Sequence, residues 1–144
     1  VIIPPWYELG EDVKIDLFIN TRSMMEMNLK VIKKYFDFIQ TQIITGGFFL
    51  NINRYYKDSV GYPIKLSEYP YDENWNVISS KSSWKQQDIH QLITQRRTGK
   101  GNIKEELAKI GKIGETFIPK KTNLLEAMWQ KFKNFINRYR YQYL

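Results

Sequence analysis

The residues able to do chemistry in this sequence are few and grouped. Two short apolar runs end in hydrogen-bonding side chains. Asp16-Leu-Phe-Ile-Asn20 leads into Thr21-Arg22-Ser23, and Phe48-Phe-Leu50 leads into Asn51-Ile-Asn53-Arg54. Asn, Ser and Thr both donate and accept hydrogen bonds, which suits recognition of amino, carboxylate or hydroxyl groups. Arg54 carries a planar fork of donors that fits a carboxylate or phosphate, although a solvated surface arginine reads the same way. His90 is the sole imidazole, and its ordinary pKa near neutrality suits a general base. In Gln86-Gln-Asp-Ile-His-Gln91 it also reads as a solvated residue, with Asp88 poorly spaced to orient it. Glu26, between Met25 and Met27, can bind an ammonium or a hydroxyl, or sit above methionines that pack beneath it.

Other chemistries are excluded or left without support. Cysteine is absent among the 144 residues, which removes disulfides, thiolate nucleophiles and Cys-based zinc sites. With one histidine and no dense carboxylate cluster, no metal site is expected; Asp72 and Glu73 read as a turn pair. The 22 Lys and Arg against 15 Asp and Glu give a formal charge of +7, which suits nucleic acid, anionic lipid or acidic substrates. Tyr55, Tyr56, Tyr62, Tyr69, Tyr71, Trp75 and Trp84 crowd one stretch. They can stack on sugars or nucleic-acid bases, or simply cover a sheet edge. No apolar run approaches the roughly 20 residues of a membrane-spanning helix. The start, Val1-Ile-Ile-Pro-Pro5, has neither an initiator Met nor a signal-peptide layout, and the expectation is a chain that begins partway through a larger protein.

The elements that must hold these groups are legible in the first half. Asp16–Asn20 has the pattern of a strand buried on both faces, and Val1–Ile3 that of an earlier strand stopped by Pro4 and Pro5. Leu29, Ile32, Phe36, Ile39 and Ile43 fall at helical spacing. They predict a helix from Asn28, its N-cap, to about Ile43, with Gly46-Gly47 as the stop. Phe48–Asn53 is a second buried strand. Strand, helix and strand in this order predict a right-handed crossover with adjacent parallel strands. The ligand crevice of such a sheet lies beyond the carboxyl ends of its strands, where Asn20–Ser23 and Asn51–Arg54 fall. Of Asn51 and Asn53, one is expected to face the crevice and the other the neighbouring strand.

Further on, a loop over 55–71 should hold one short strand near Ile64-Lys-Leu66, paired antiparallel with a strand at Trp75–Ser79. A short helix is expected over Gln87–Arg96, a basic break at Arg96–Gly101, and a helix over Lys104–Ile110. A last helix should run from Asn123 to Tyr143. Its apolar stripe includes Leu124, Leu125, Met128, Trp129, Phe132 and Phe135, and Lys131, Lys133, Arg138 and Arg140 line its polar side. Such a helix can lie on an anionic membrane, on a partner, or on its own domain.

The segment from Ile15 to Asn53 resembles the later part of a class I S-adenosylmethionine-dependent methyltransferase, in which a strand ending at the cofactor is followed by a helix and then L-x-x-G-G. The matching text is Asp16–Asn20, Ser23–Met27, and Ile43-Ile-Thr-Gly-Gly47. More narrowly, Phe18–Met27, Asn51-Ile-Asn-Arg54 and Tyr69-Pro-Tyr-Asp-Glu-Asn-Trp-Asn-Val77 resemble the sugar O-methyltransferase family. The resemblance implies an α/β fold: over 1–95 the C-terminal part of a Rossmann-like methyltransferase sheet, and over 96–144 an α-helical C-terminal extension. It implies methyl transfer from S-adenosyl-L-methionine to a sugar hydroxyl in polysaccharide or glycan biosynthesis. The setting would be the cytoplasm or the membrane periphery, and the acceptor a saccharide, free or lipid-linked.

On this reading Asn20, Thr21, Ser23 and Met24 line the cofactor. Asn53, Arg54 and Tyr56 meet the acceptor, and His90 and Glu26 serve the acid–base step. One departure is clear: the family's Gly-rich cofactor loop comes earlier, and no G-x-G-x-G occurs here. The chain by itself is therefore expected to bind the cofactor poorly and to be inactive. The competing reading from composition is a small basic α/β module that binds nucleic acid or a partner protein without catalysis.

Overall fold

A computed structural model describes residues 13–59, 62–119 and 129. The strands β1 (Ile15–Thr21) and β2 (Ile43–Arg54) pair in parallel, joined by the helix α1 (Leu29–Gln42), as the spacing predicts. Asn28 caps α1, its Oδ1 accepting the Val31 N–H at 2.9 Å. Ile32, Phe36 and Ile39 form its buried stripe. Gly46-Gly47 does not stop the helix. The backbone turns extended at Ile43 and the glycines lie inside β2. The register shifts between Ile15/Ile43 and Leu17/Phe48, and Gly46 at φ +89° supplies a conformation that a side chain would strain.

The second half departs further from expectation. The Ile64 segment, β4 (Tyr62–Lys65), pairs with β3 (Tyr56–Ser59) in a separate ribbon. The strand at Trp75, β5 (Trp75–Ser82), pairs instead with β6 (Ile89–Arg96), which replaces the expected helix. His90, Leu92 and Thr94 are buried in alternation with Gln91, Ile93 and Gln95. Because two of those buried positions are polar, hydrophobicity alone hides the period of two, while Ile89, Leu92 and Ile93 imitate a helical stripe. The strand order is β1-β2-β6-β5, with β6 antiparallel to both neighbours.

The helix α2 (Ile103–Glu115) buries Ile103, Leu107 and Ile110 in the cluster that holds Phe36, Phe49, Trp75 and Leu92. The basic break is an exposed turn that closes tightly at Gly101. Gly101 donates its N–H to the Glu73 carbonyl at 2.7 Å, and a Cβ there would run into the Trp75 carbonyl. Val1–Ile3 and the final helix over Asn123–Tyr143 lie outside the described residues, except Trp129, which is helical.

The sheet is covered on one face. Phe18, Asn20, Phe49, Asn51, Leu92 and Thr94 lie on that side, with Phe36 of α1 edge-on to Phe49 at 5.7 Å between ring centroids. Leu17 and Ile19, on the other face, are 53% and 56% exposed among the described residues. The run Asp16–Asn20 was expected to be buried on both faces; β1 is an edge strand buried on one.

Candidate functional site

The carboxyl ends of β1 and β2 do carry a polar cluster, and most of it is turned inward. Arg22 sits at φ 62°, the one side chain among the described residues in the left-handed region. Its N–H donates to the Ile52 carbonyl at 2.7 Å. This sharp turn folds the next residues back under Asn20. The Asn20 Oδ1 accepts the Ser23 hydroxyl and the Met24 N–H (3.3 Å), and its Nδ2 donates to Asn51 Oδ1 at 2.9 Å. Asn51 Oδ1 also accepts from Asn53 Nδ2, while Asn51 Nδ2 donates to Tyr71 Oη at 3.1 Å. Asn51 and Asn53 therefore share one face instead of splitting between crevice and strand. Residues two apart in a strand always do. The Asn20, Asn51 and Asn53 side chains are buried, and Asn53 Oδ1 has no hydrogen-bond partner. An acceptor of this kind is costly to leave unmet, and an ordered water is the usual donor for one so enclosed.

Around this cluster the other expected residues divide. Met24 and Met25 are 2% exposed and pack in the interior, so Met24 reaches the crevice only through its backbone. Thr21 and Ser23 are exposed at the turn. Glu26, exposed on the short helical turn Met24–Glu26, pairs with Lys57 of β3. Arg54 meets Asp88 at 3.3 Å and Tyr56 begins β3, half-buried, so both stand at the same end of the sheet.

His90 lies opposite Asn53 in register, but its ring belongs to a different network. Its Nε2 is 2.8 Å from Ser80 Oγ and its Nδ1 is 2.7 Å from Tyr55 Oη, which is in turn 2.7 Å from Ser82 Oγ. Both imidazole nitrogens are engaged, one with a serine hydroxyl and one with a phenol, and the tautomer sets which atom of each pair donates. Ser80 also lies beside the Glu106 carboxylate. Burial pushes the His90 pKa down to about 4, against a weaker pull upward from Glu106. Burial raises the Glu106 carboxyl, but hydrogen bonds from Ser80 and Lys109 outweigh this and hold it below its ordinary value. His90 is 2% exposed and its basic nitrogen is already occupied, so the expected role of base does not fit its surroundings. Tyr55, the pair Ser80 and Ser82 on β5, and Glu106 come from three separate stretches, and no spacing in the sequence joins the three.

Among the described residues no group of three His, Cys, Asp or Glu is placed to hold a metal, and no helix is long and apolar enough to cross a membrane. No family model, no curated protein and no solved structure matches this chain.

Proposed function

We propose that this chain is the C-terminal part of an S-adenosylmethionine-dependent methyltransferase of the class I type, acting on a sugar hydroxyl in polysaccharide or glycan synthesis. The observation that carries the reading is the parallel β1–α1–β2 unit whose strand ends hold Asn20, Asn51 and Asn53, with a left-handed Arg22 at the rim. The end of parallel strands is where sheets of this kind bind ligands. The donor set suits the amino-acid part of the cofactor. Thr21 is exposed at the turn, and the Ser23 hydroxyl, which donates to Asn20, keeps its lone pairs for a ligand donor.

When bound, S-adenosylmethionine supplies an electrophilic methyl group; the chain's own work is alignment and proton removal. Asn20 and Asn51 are positioning residues: they fix the turn that presents Thr21 and Ser23. Glu26, paired with Lys57, is the carboxylate available to take the acceptor's proton. Arg54, braced by Asp88, and Tyr56 border the acceptor side. His90 serves the interior.

Calorimetric titration of S-adenosylmethionine and S-adenosylhomocysteine tests this, on the present chain and on the full-length gene product. Binding by the longer product alone is the expected result, and binding by neither removes the proposal. In the longer product Asn20→Ala and Ser23→Ala should each weaken binding about tenfold, or ~1.4 kcal/mol, while Lys131→Ala leaves it unchanged. Equal effects from all three would overturn the site.

A second reading is favoured by Trp84, which is 84% exposed with the Lys85 ammonium 4.9 Å from its ring centroid. A basic module that stacks bases on such a ring would show affinity for single-stranded polynucleotide falling steeply with salt.

A further inference from the structure

The antiparallel strands β5 and β6 are joined by a hairpin loop over 83–88. Register sets where that loop stands. Ile89 pairs with Arg54 and Ser82 with His90, so the loop extends beyond the carboxyl end of β2, where Asn51, Asn53 and Arg54 gather. The Tyr55 N–H donates to the Asp88 carbonyl at 3.0 Å, and Arg54 meets the Asp88 carboxylate at 3.3 Å. These two contacts tie the base of the loop to the rim of the candidate site. Within it the Ser83 N–H donates to the Ile89 carbonyl at 2.8 Å and the Ile89 N–H to the Gln86 carbonyl at 2.9 Å.

An indole and an ammonium stand together on this tethered loop. Trp84 is exposed, and Lys85 Nζ lies 4.9 Å from its ring centroid, drawn there by the negative face of the ring. Lys81 is exposed three residues earlier, level with Gln91, Ile52 and Thr21 in one row across the sheet. Glu26 and Asp88, two carboxylates of this end, are already paired with Lys57 and Arg54. Among the described residues no carboxylate pairs with Arg22, Lys81 or Lys85. Unpaired cations around an open indole favour a ligand that has an apolar face and a negative charge. A sugar ring lays its C–H face on an indole, and a carboxylate or phosphate on that sugar meets the ammonium groups. From Thr21 to Lys81 there are three strand spacings, about 14 Å, which is longer than one monosaccharide.

We propose that the acceptor is an acidic saccharide chain that reacts at the ends of β1 and β2 and extends over the hairpin. A unit beyond the reacting sugar lies on Trp84, and its carboxylate or phosphate is held by Lys81 and Lys85. The assignment rests on the methyltransferase reading, which cofactor binding tests separately.

Titration of the full-length gene product with trigalacturonate, phosphorylated maltotriose and neutral maltotriose tests it, followed by calorimetry and nuclear magnetic resonance. One acidic probe should bind about tenfold more tightly than maltotriose and shift the Trp84 indole N–H resonance; which one binds identifies the anion as carboxylate or phosphate. Trp84→Ala should weaken that binding about tenfold and Lys85→Ala about threefold. Lys100→Ala, exposed beyond the other end of β6, should leave it unchanged. None of the three should alter the affinity for S-adenosylmethionine. Three outcomes overturn the proposal: maltotriose bound as tightly as both acidic probes, acidic-probe binding that survives Trp84→Ala intact, or tighter binding of oligothymidylate than of either acidic probe. If the product binds S-adenosylmethionine and neither acidic probe, this proposal falls alone. If it binds an acidic probe through Trp84 and not the cofactor, the methyltransferase reading falls and the acceptor role with it.

Discussion

His90 shows how much a single residue's meaning depends on what surrounds it. An imidazole with one nitrogen on Ser80 and the other on Tyr55 has neither left for substrate, and it stays neutral until about pH 4. The unfolded chain takes up that proton near pH 6.5, so between these values the unfolded state holds more protons than the folded one. The stability linked to His90 is therefore complete above pH 6.5 and lost as pH falls toward 4. Glu106, held below its ordinary value, loses its contribution in the same direction. Urea unfolding at pH 7 and at pH 4 should differ by about 3 kcal/mol from His90, and His90→Gln should flatten the slope.

Asn51 is the other residue with consequences beyond its size. It joins Asn20, Asn53 and Tyr71. Asn51→Ala strands the polar atoms of all three in the interior and should cost about 3 kcal/mol in the same measurement.

At the scale of elements, what could be read from the sequence was whatever announces itself locally. The β1–α1–β2 unit combines a periodic helix, an Asn cap and two apolar runs, and all of it formed. The strand β6 was hidden because its inward positions are filled by His90 and Thr94 as well as Leu92, and only tertiary partners make a buried histidine acceptable. The same cause hid the Tyr55–His90–Ser80–Glu106 chain: its members meet only after β6 enters the sheet. Asn20, Ser23 and Asn53 were legible as a group because strand ends collect in space. That Asn51 and Asn53 share a face followed from parity alone. Junctions follow equally local rules. Gly101 exists for its missing side chain, and Gly101→Ala should lower stability by about 2 kcal/mol or more, read as a drop in the urea midpoint, since a Cβ there meets the Trp75 carbonyl.

For the molecule as a whole, one core unites α1, α2 and a single face of a mixed sheet. The positive excess is a property of the surface and sets association, not architecture. The strand order has a consequence for how the molecule comes into being. β6 is last in sequence of the described strands yet sits inside the sheet, between β2 and β5. During synthesis the parallel pair emerges first, with the second edge of β2 bare, and it stays bare until residue 96 has left the ribosome. Only then can β5 and β6 arrive together as a hairpin and complete the sheet, with α2 closing the core behind them. Translation must pass residue 96 before the second edge of β2 is paired, and a ribosome stalled earlier would display an unpaired strand edge to every other nascent copy.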